Sequence, residues 1–243
     1  MIYEIKFIPY EKLIFFEEYN EEQLIKIKSN IDAQKSLNNL PIIMRTESNK
    51  YLVLDGTHRI LALNKLRCMN ITAQIIDESI VVSSSWLHQI PKCKELISDL
   101  KNNSNFYFTG ENLLEQKYFA KVYIDNQVYY LYDIDSKKKE EGEVISFLNS
   151  IINVYDSKYG YVNITKEEYT PNLEYITIEF PDFSIQELMK NIDNKLFPLN
   201  VIRFTFNIKN MNGINIPICV IRSPEAYEFE WREIIEKLSL PSQ

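Results

Sequence analysis

Glycine is scarce in this chain of 243 residues, at only five. A glycine at a strand-to-helix junction is therefore more informative than usual. Cysteine is scarce as well: Cys68, Cys93 and Cys219 are far apart and odd in number. No CxxC pair exists, which excludes a zinc knuckle and a disulfide framework and fits reduced thiols in a cytoplasmic protein. Only two histidines occur, His58 and His88. No window approaches the roughly 18 apolar residues of a membrane span. The stretch Met1–Lys12 mixes Glu and Lys into its apolar residues and does not read as a signal peptide. Positive charge is in deficit, with 27 Lys and Arg against 34 Asp and Glu and a net charge of -7. The broad basic field that serves nucleic-acid binding is missing, which argues against a nucleic-acid partner.

The chain is 45% hydrophobic and 25% charged, as a folded soluble domain requires, and rich in aromatics with 16 Tyr and 13 Phe. Its length suits one large domain or two smaller lobes. Alternation predicts a strand over Ile2–Ile8 that ends at Pro9. A 3.6-residue period predicts a helix over Glu21–Gln34 with Leu24, Ile27 and Ile31 on its buried face. Short apolar strands follow at Pro41–Thr46 and Tyr51–Leu54, then a helix from Thr57 to about Leu66 and a strand over Ile71–Ile76. These form one α+β unit.

Past Val82 the pattern changes. Ser83, Ser84 and Ser85 lead through Trp86 and His88 to Pro91, which reads as a connector. A helix is expected over Lys92–Lys101. A hairpin is expected from Phe119–Asp125 and Val128–Ile134 around Asn126 and Gln127. The run Ser136–Glu143 reads as a solvated loop, and Val144–Val154 as helix. Ser184 and Glu187 have capping-box spacing for a helix over Ser184–Asp193. Val201–Lys209 and Ile214–Ile221 read as paired strands, and Pro224–Leu238 as a last amphipathic helix. No internal repeat and no long linker interrupts the chain.

Chemistry concentrates at Asp55-Gly56-Thr57-His58-Arg59, where a strand end opens a helix. Free N–H groups and the helix dipole favour an anion there. Gly56 removes a side chain where a phosphate approaches, Arg59 offers a planar fork, and His58 adds a donor. Asp before Gly is also ordinary turn chemistry.

The stretch Gly56-Thr57-His58-Arg59-Ile60-Leu61-Ala62 resembles the Gly-x-(Arg/His)-Arg-x-x-Ala box of the ParB and sulfiredoxin families, which holds nucleotide phosphates. Sulfiredoxins carry a catalytic cysteine where this chain has Thr57, so their thiolate chemistry is not expected. ParB partition proteins continue into a helix-turn-helix, and no such pair follows here. The chain resembles the ParB-like free L-serine kinases over nearly its whole length. Lys6-Phe7-Ile8-Pro9 with Glu17, the Asp55–Arg59 box, Ser85-Trp86-Leu87-His88-Gln89-Ile90-Pro91 and Val201-Ile202-Arg203-Phe204-Thr205 carry that resemblance. Nothing from about Lys101 to Asn172 adds to it.

The resemblance implies an α+β fold with a ParB/sulfiredoxin-like nucleotide-binding lobe over 1–82, a mixed substrate-binding lobe over 83–243, and a substrate cleft between them. It implies ATP as phosphoryl donor, with ADP as the alternative, and Mg²⁺ carried by phosphates and water rather than by a protein cage. Glu17 becomes the general base, with Glu18 as the neighbouring alternative, although both lie in an acidic run that suits a solvated face. Asp55 orients the serine hydroxyl or assists the metal-bound nucleotide. Gly56, Thr57, His58 and Arg59 hold phosphates, and Trp86 and His88 line the serine pocket. Arg203 pairs with the serine carboxylate and Thr205 adds a hydroxyl, with Arg222 as a lesser candidate for the carboxylate. The implied product, O-phospho-L-serine, feeds siderophore or cysteine biosynthesis. A nucleotide-binding regulator without turnover, with or without DNA, is the competing reading. Monomer and dimer are equally compatible with the sequence.

Overall fold

The computed structural model describes residues 3–113, 116–134, 143–191, 196–208 and 212–239. The chain divides into two units: unit 1 holds 1–82 and 206–243, and unit 2 holds 83–205.

Unit 1 opens with strand β1 (Tyr3–Pro9), β2 (Leu13–Ile14) and helix α1 (Glu21–Gln34). Then come β3 (Ser36–Asn39), β4 (Ile42–Arg45), β5 (Tyr51–Asp55), helix α2 (Thr57–Lys65) and β6 (Asn70–Ile76). A five-stranded mixed sheet runs in the order β1-β6-β4-β5-β2. β4 and β5 form an antiparallel pair, while β4 and β6 are parallel across the crossover that α2 makes. Leu24 and Ile31 of α1 and Ile60, Ala62 and Leu63 of α2 are buried. The period of 3.6 brings these residues to one face of each helix.

Unit 2 takes in the end of β7 (Val81–Ser85), then β8 (Leu87–Pro91), helix α3 (Lys94–Lys101), β9 (Phe106–Thr109), β10 (Ala120–Ile124) and β11 (Gln127–Asp133). It continues through α4 (Glu143–Ile152), α5 (Asp156–Tyr159), β12 (Val162–Ile164), β13 (Tyr175–Glu179), α6 (Ile185–Asn191) and β14 (Ile202–Phe206). Six strands form one sheet in the order β12-β8-β13-β10-β11-β9. Its buried residues include Leu87, Ile90, Val122, Leu131, Ile176 and Ile178, with Phe147, Leu148 and Ile151 of α4 also buried. The β10–β11 hairpin turns on Asp125 and Asn126, at φ 51° and 64°. The turn is one residue earlier than expected, because a two-residue hairpin needs positive φ at both centres, which Asp and Asn tolerate.

The segment expected to be a connector, Ser83 to Pro91, is instead strand: β7 pairs with β14, and β8 lies inside the six-stranded sheet. The late strands are corrected as well. Val201–Lys209 and Ile214–Ile221 do not pair with each other. After β14 comes β15 (Asn212–Pro217), which pairs with β3, followed by α7 (Ile218–Arg222) and α8 (Glu228–Ser239). Ile216, Ile218, Val220 and Ile221 join the same buried cluster as Leu24, Ile43 and Ile60. The Trp231 ring lies 4.3 Å from that of Phe7. The division falls after Val82, and 206–243 groups with unit 1 and not with 83–205. The expected run Ser136–Glu143 falls almost wholly outside the described residues.

Candidate active site

In unit 1, β5 delivers Asp55 to the start of α2, and Gly56 makes the turn at φ 97° and ψ 23°. An L side chain is strained in that left-handed region. A Cβ on Gly56 would also stand 3.0 Å from both Arg59 Nη2 and Pro41 Cβ. The first intrahelical bond runs from Ile60 N–H to Gly56 O at 2.9 Å. The N–H groups of Thr57, His58 and Arg59 therefore precede the helix ladder and point out of its positive end, as anion binding requires.

Arg59 is held differently from the expectation. Its Nη2 donates to Asp55 Oδ2 at 2.6 Å, and its Nη1 donates to the carbonyls of Asn39 and Leu40 at 3.1 and 3.2 Å. The guanidinium thus fastens the turn to the β3–β4 connection and lies across Gly56. It places positive charge beside the helix start, and its fork grips protein oxygens. Thr57 is buried at 6% exposure.

His58 Nε2 accepts the Asn20 N–H at 3.0 Å. Burial lowers the pKa of His58 below its ordinary value. Asn20 also caps α1, its Oδ1 accepting from Gln23 N–H at 2.9 Å. Glu17 is half-buried on the short loop that ends at Asn20, while Glu18 is exposed. Unit 1 therefore brings Glu17's loop, the Asp55–Gly56 turn and the α2 start together through one imidazole. Arg222 belongs to this unit also, and its Nη2 donates to Leu66 O at 2.9 Å, at the far end of α2.

In unit 2, Trp86 N–H donates to Val201 O at 3.0 Å, which sets β14 beside the β7–β8 connection. The Arg203 guanidinium then lies 5.1 Å from the Trp86 ring centre, a cation–π arrangement. Its ionic neighbour Glu167 is 3.8 Å away with a side chain 79% exposed. Next to this pair, Asp182 accepts the Ser85 N–H at 2.8 Å and the Ser85 hydroxyl at 3.0 Å. Lys166 donates to both Asp182 oxygens at 2.8 and 3.0 Å. Thr205 is half-buried on β14, one strand repeat from Arg203.

His88 departs from a pocket-wall role. It is fully buried. Its Nε2 lies 2.8 Å from Asn200 O and its Nδ1 2.7 Å from the Tyr155 hydroxyl. A carbonyl only accepts, so Nε2 carries the proton and the Tyr155 hydroxyl donates to Nδ1. The ring stacks on Tyr161 at 4.1 Å. Burial lowers its pKa to about 4. His88 is thus a neutral internal post that orders the segment leading into β14.

Asn20, Asp182 and the His88 partners Tyr155, Tyr161 and Asn200 were not singled out in the sequence. Asn20 had a legible signal, an Asn directly before a helical run. The others had none, because their partners are distant in the chain.

The class these features define is an α+β protein whose first unit carries a glycine-opened helix start. No family profile matches the chain. Among particular proteins, it is similar over 237 residues, at 22% identity, to the ATP-dependent L-serine kinase SbnI of Staphylococcus aureus, covering 95% of this chain and 90% of that one. The solved structure of SbnI with a C-terminal truncation superposes with a TM-score of 0.85 at 19% identity, covering 97% of each chain. A free serine kinase in complex with AMP superposes with a TM-score of 0.69 at 14% identity, covering 89% of this chain and 93% of that one. Likeness in both fold and sequence therefore extends across both units. Among the described residues, no helix is long and apolar enough to cross a membrane.

Proposed function

We propose that this protein is a kinase that transfers a phosphoryl group from ATP, with ADP as the alternative donor, to the hydroxyl of free L-serine, giving O-phospho-L-serine. One observation carries the reading. In a chain alike over nearly its whole length to a serine kinase, the acidic Glu17 loop is fastened by a hydrogen bond to the helix start that suits phosphates.

Unit 1 holds the nucleotide. The N–H groups that open α2 take phosphate oxygens, and Arg59 keeps the Gly56 turn in shape while adding positive charge. Phosphoryl transfer depends on positioning and on neutralising charge. Mg²⁺ carried on the phosphates would supply much of that neutralisation. Among the described residues, no group of three or more His, Cys, Asp or Glu side chains is placed to hold a metal. Nucleotide phosphates and water are its expected ligands, with Asp55 the carboxylate next to the turn. Glu17 accepts the serine hydroxyl proton.

Unit 2 holds the amino acid. Arg203 is braced on Trp86, and its exposed partner Glu167 is a weak competitor that a substrate carboxylate can replace. The phosphate on the product makes the side-chain oxygen a leaving group. The product therefore suits the replacement reactions of siderophore or cysteine biosynthesis.

The test is incubation with L-serine, Mg²⁺ and either donor, following O-phosphoserine by phosphorus NMR. Glu17→Gln is expected to lower kcat by about 10²–10⁴-fold, with nucleotide affinity retained. Absence of O-phosphoserine with both donors removes the kinase reading. Nucleotide binding without turnover would then favour the regulator.

A further inference from the structure

Asn20 sits where two helix starts meet. It caps α1 through its side chain and gives its own N–H to a ring on α2, across 38 positions of sequence. In a capping box, the N-cap N–H is satisfied by a side chain three residues on. Gln23 occupies that place here, yet the acceptor is His58 Nε2. A nitrogen that accepts an N–H holds a lone pair, so the proton of the neutral ring lies on Nδ1. Such a nitrogen cannot at the same time donate to a phosphate oxygen. The neighbourhood supports a fixed ring. Tyr19 meets it edge-on at 6.5 Å, and Leu24 and Ile60 are buried in the cluster common to both helices. A second tie between the helices, Lys65 to Glu21 at 3.3 Å, is solvent-exposed and adds little.

We propose that His58 is a positioning residue that acts through Asn20: its Nε2 anchors the end of the Glu17 loop to the phosphate-accepting turn, so that the carboxylate and the nucleotide share one frame. The structural part of this rests on the bond itself. The catalytic consequence rests on the kinase reading, in which Glu17 is the base. A phosphate ligand and a loop anchor predict different losses. Loss of a ligand weakens nucleotide affinity, whereas loss of the anchor spares affinity and lowers kcat.

The wild-type protein labelled with nitrogen-15 gives the first test. A scalar coupling across the hydrogen bond between the Asn20 amide nitrogen and His58 Nε2, with an Nδ1-protonated ring, is expected. Two variants give the second. Asn places an amide near Nδ1 and leaves nothing at Nε2, whereas Gln reaches the Nε2 position with an acceptor. His58→Asn is expected to speed exchange of the Asn20 amide by about tenfold, the loss of one hydrogen bond. It should also lower kcat by about tenfold or more through misplacement of the base, with nucleotide Kd unchanged. His58→Gln is expected to restore most of both. No coupling in the wild type, unchanged Asn20 exchange in His58→Asn, or a loss lying wholly in nucleotide Kd would overturn the proposal. If the wild type forms no O-phosphoserine, the kinase reading fails, and the coupling and exchange measurements still decide whether His58 holds the loop.

Discussion

His88 and Gly56 show how far a single residue can be read before its surroundings are known. Gly56 was legible as a rare glycine at a strand-to-helix junction, while its left-handed turn, which few other residues accept, is seen only in the structure. The structure adds that Arg59 and Pro41 already crowd the space a Cβ would need. Gly56→Ala is therefore expected to cost about 1–3 kcal/mol in urea unfolding and to weaken nucleotide binding. An unchanged unfolding midpoint would show that the turn is not constrained as described. His88 was legible as a rare residue but not as a buried one. Its burial makes a pH dependence. The native ring binds its proton near pH 4, while in the unfolded chain the value is 6.5. Between those values the unfolded state binds more protons, so stability present at neutral pH is lost as the pH falls. The loss from pH 7 to pH 5 is about 2 kcal/mol, and about 3 kcal/mol once the pH passes below 4. Unfolding in urea at pH 7 and pH 5, with an NMR titration of His88, checks this. A native His88 titrating near its ordinary value would contradict it.

Elements were legible where local pattern decides them. The helix over Glu21–Gln34 is found with those bounds, and the capping box at Ser184 is closed in both directions. Ser184 N–H donates to Glu187 Oε2 at 2.8 Å, and Glu187 N–H donates to Ser184 Oγ at 3.2 Å. Ser184→Ala is expected to cost about 1 kcal/mol of stability; a change within error would show that the cap is redundant with packing. Strand partners were not legible. Ser83–Ser85 lacks the β-branched run that announces a strand, and its pairing with β14 depends on residues far along the chain. β14 and β15 follow one another closely, which suggests a hairpin, yet each finds an earlier strand. Register and partner in a sheet follow from which face can be buried, and that is settled by the whole fold.

For the molecule as a whole, unit 1 is built from both ends of the described chain. Ile216, Ile218, Val220 and Ile221 complete a core begun by β1 to β6. Full burial of such side chains contributes about 1.5–3 kcal/mol each, and a domain's net stability is only about 5–15 kcal/mol. A chain ending at Thr205 is therefore expected to lose amide protection throughout 1–82 and to keep it through 83–205, as hydrogen exchange read by mass spectrometry would show. Undiminished protection in 1–82 would mean that the first segment folds unaided.

The interrupted path of unit 1 also sets an order of events on the ribosome. Chains emerge amino end first, and domains tend to close as units during synthesis. Unit 2 is contiguous and has all its strands once β14 has emerged. Unit 1, begun earlier, must wait for β15 to reach β3. The nascent protein therefore matures inside-out: the inserted half settles while its host still has its hydrophobic face open, and a stall late in translation strands the half that bears Gly56.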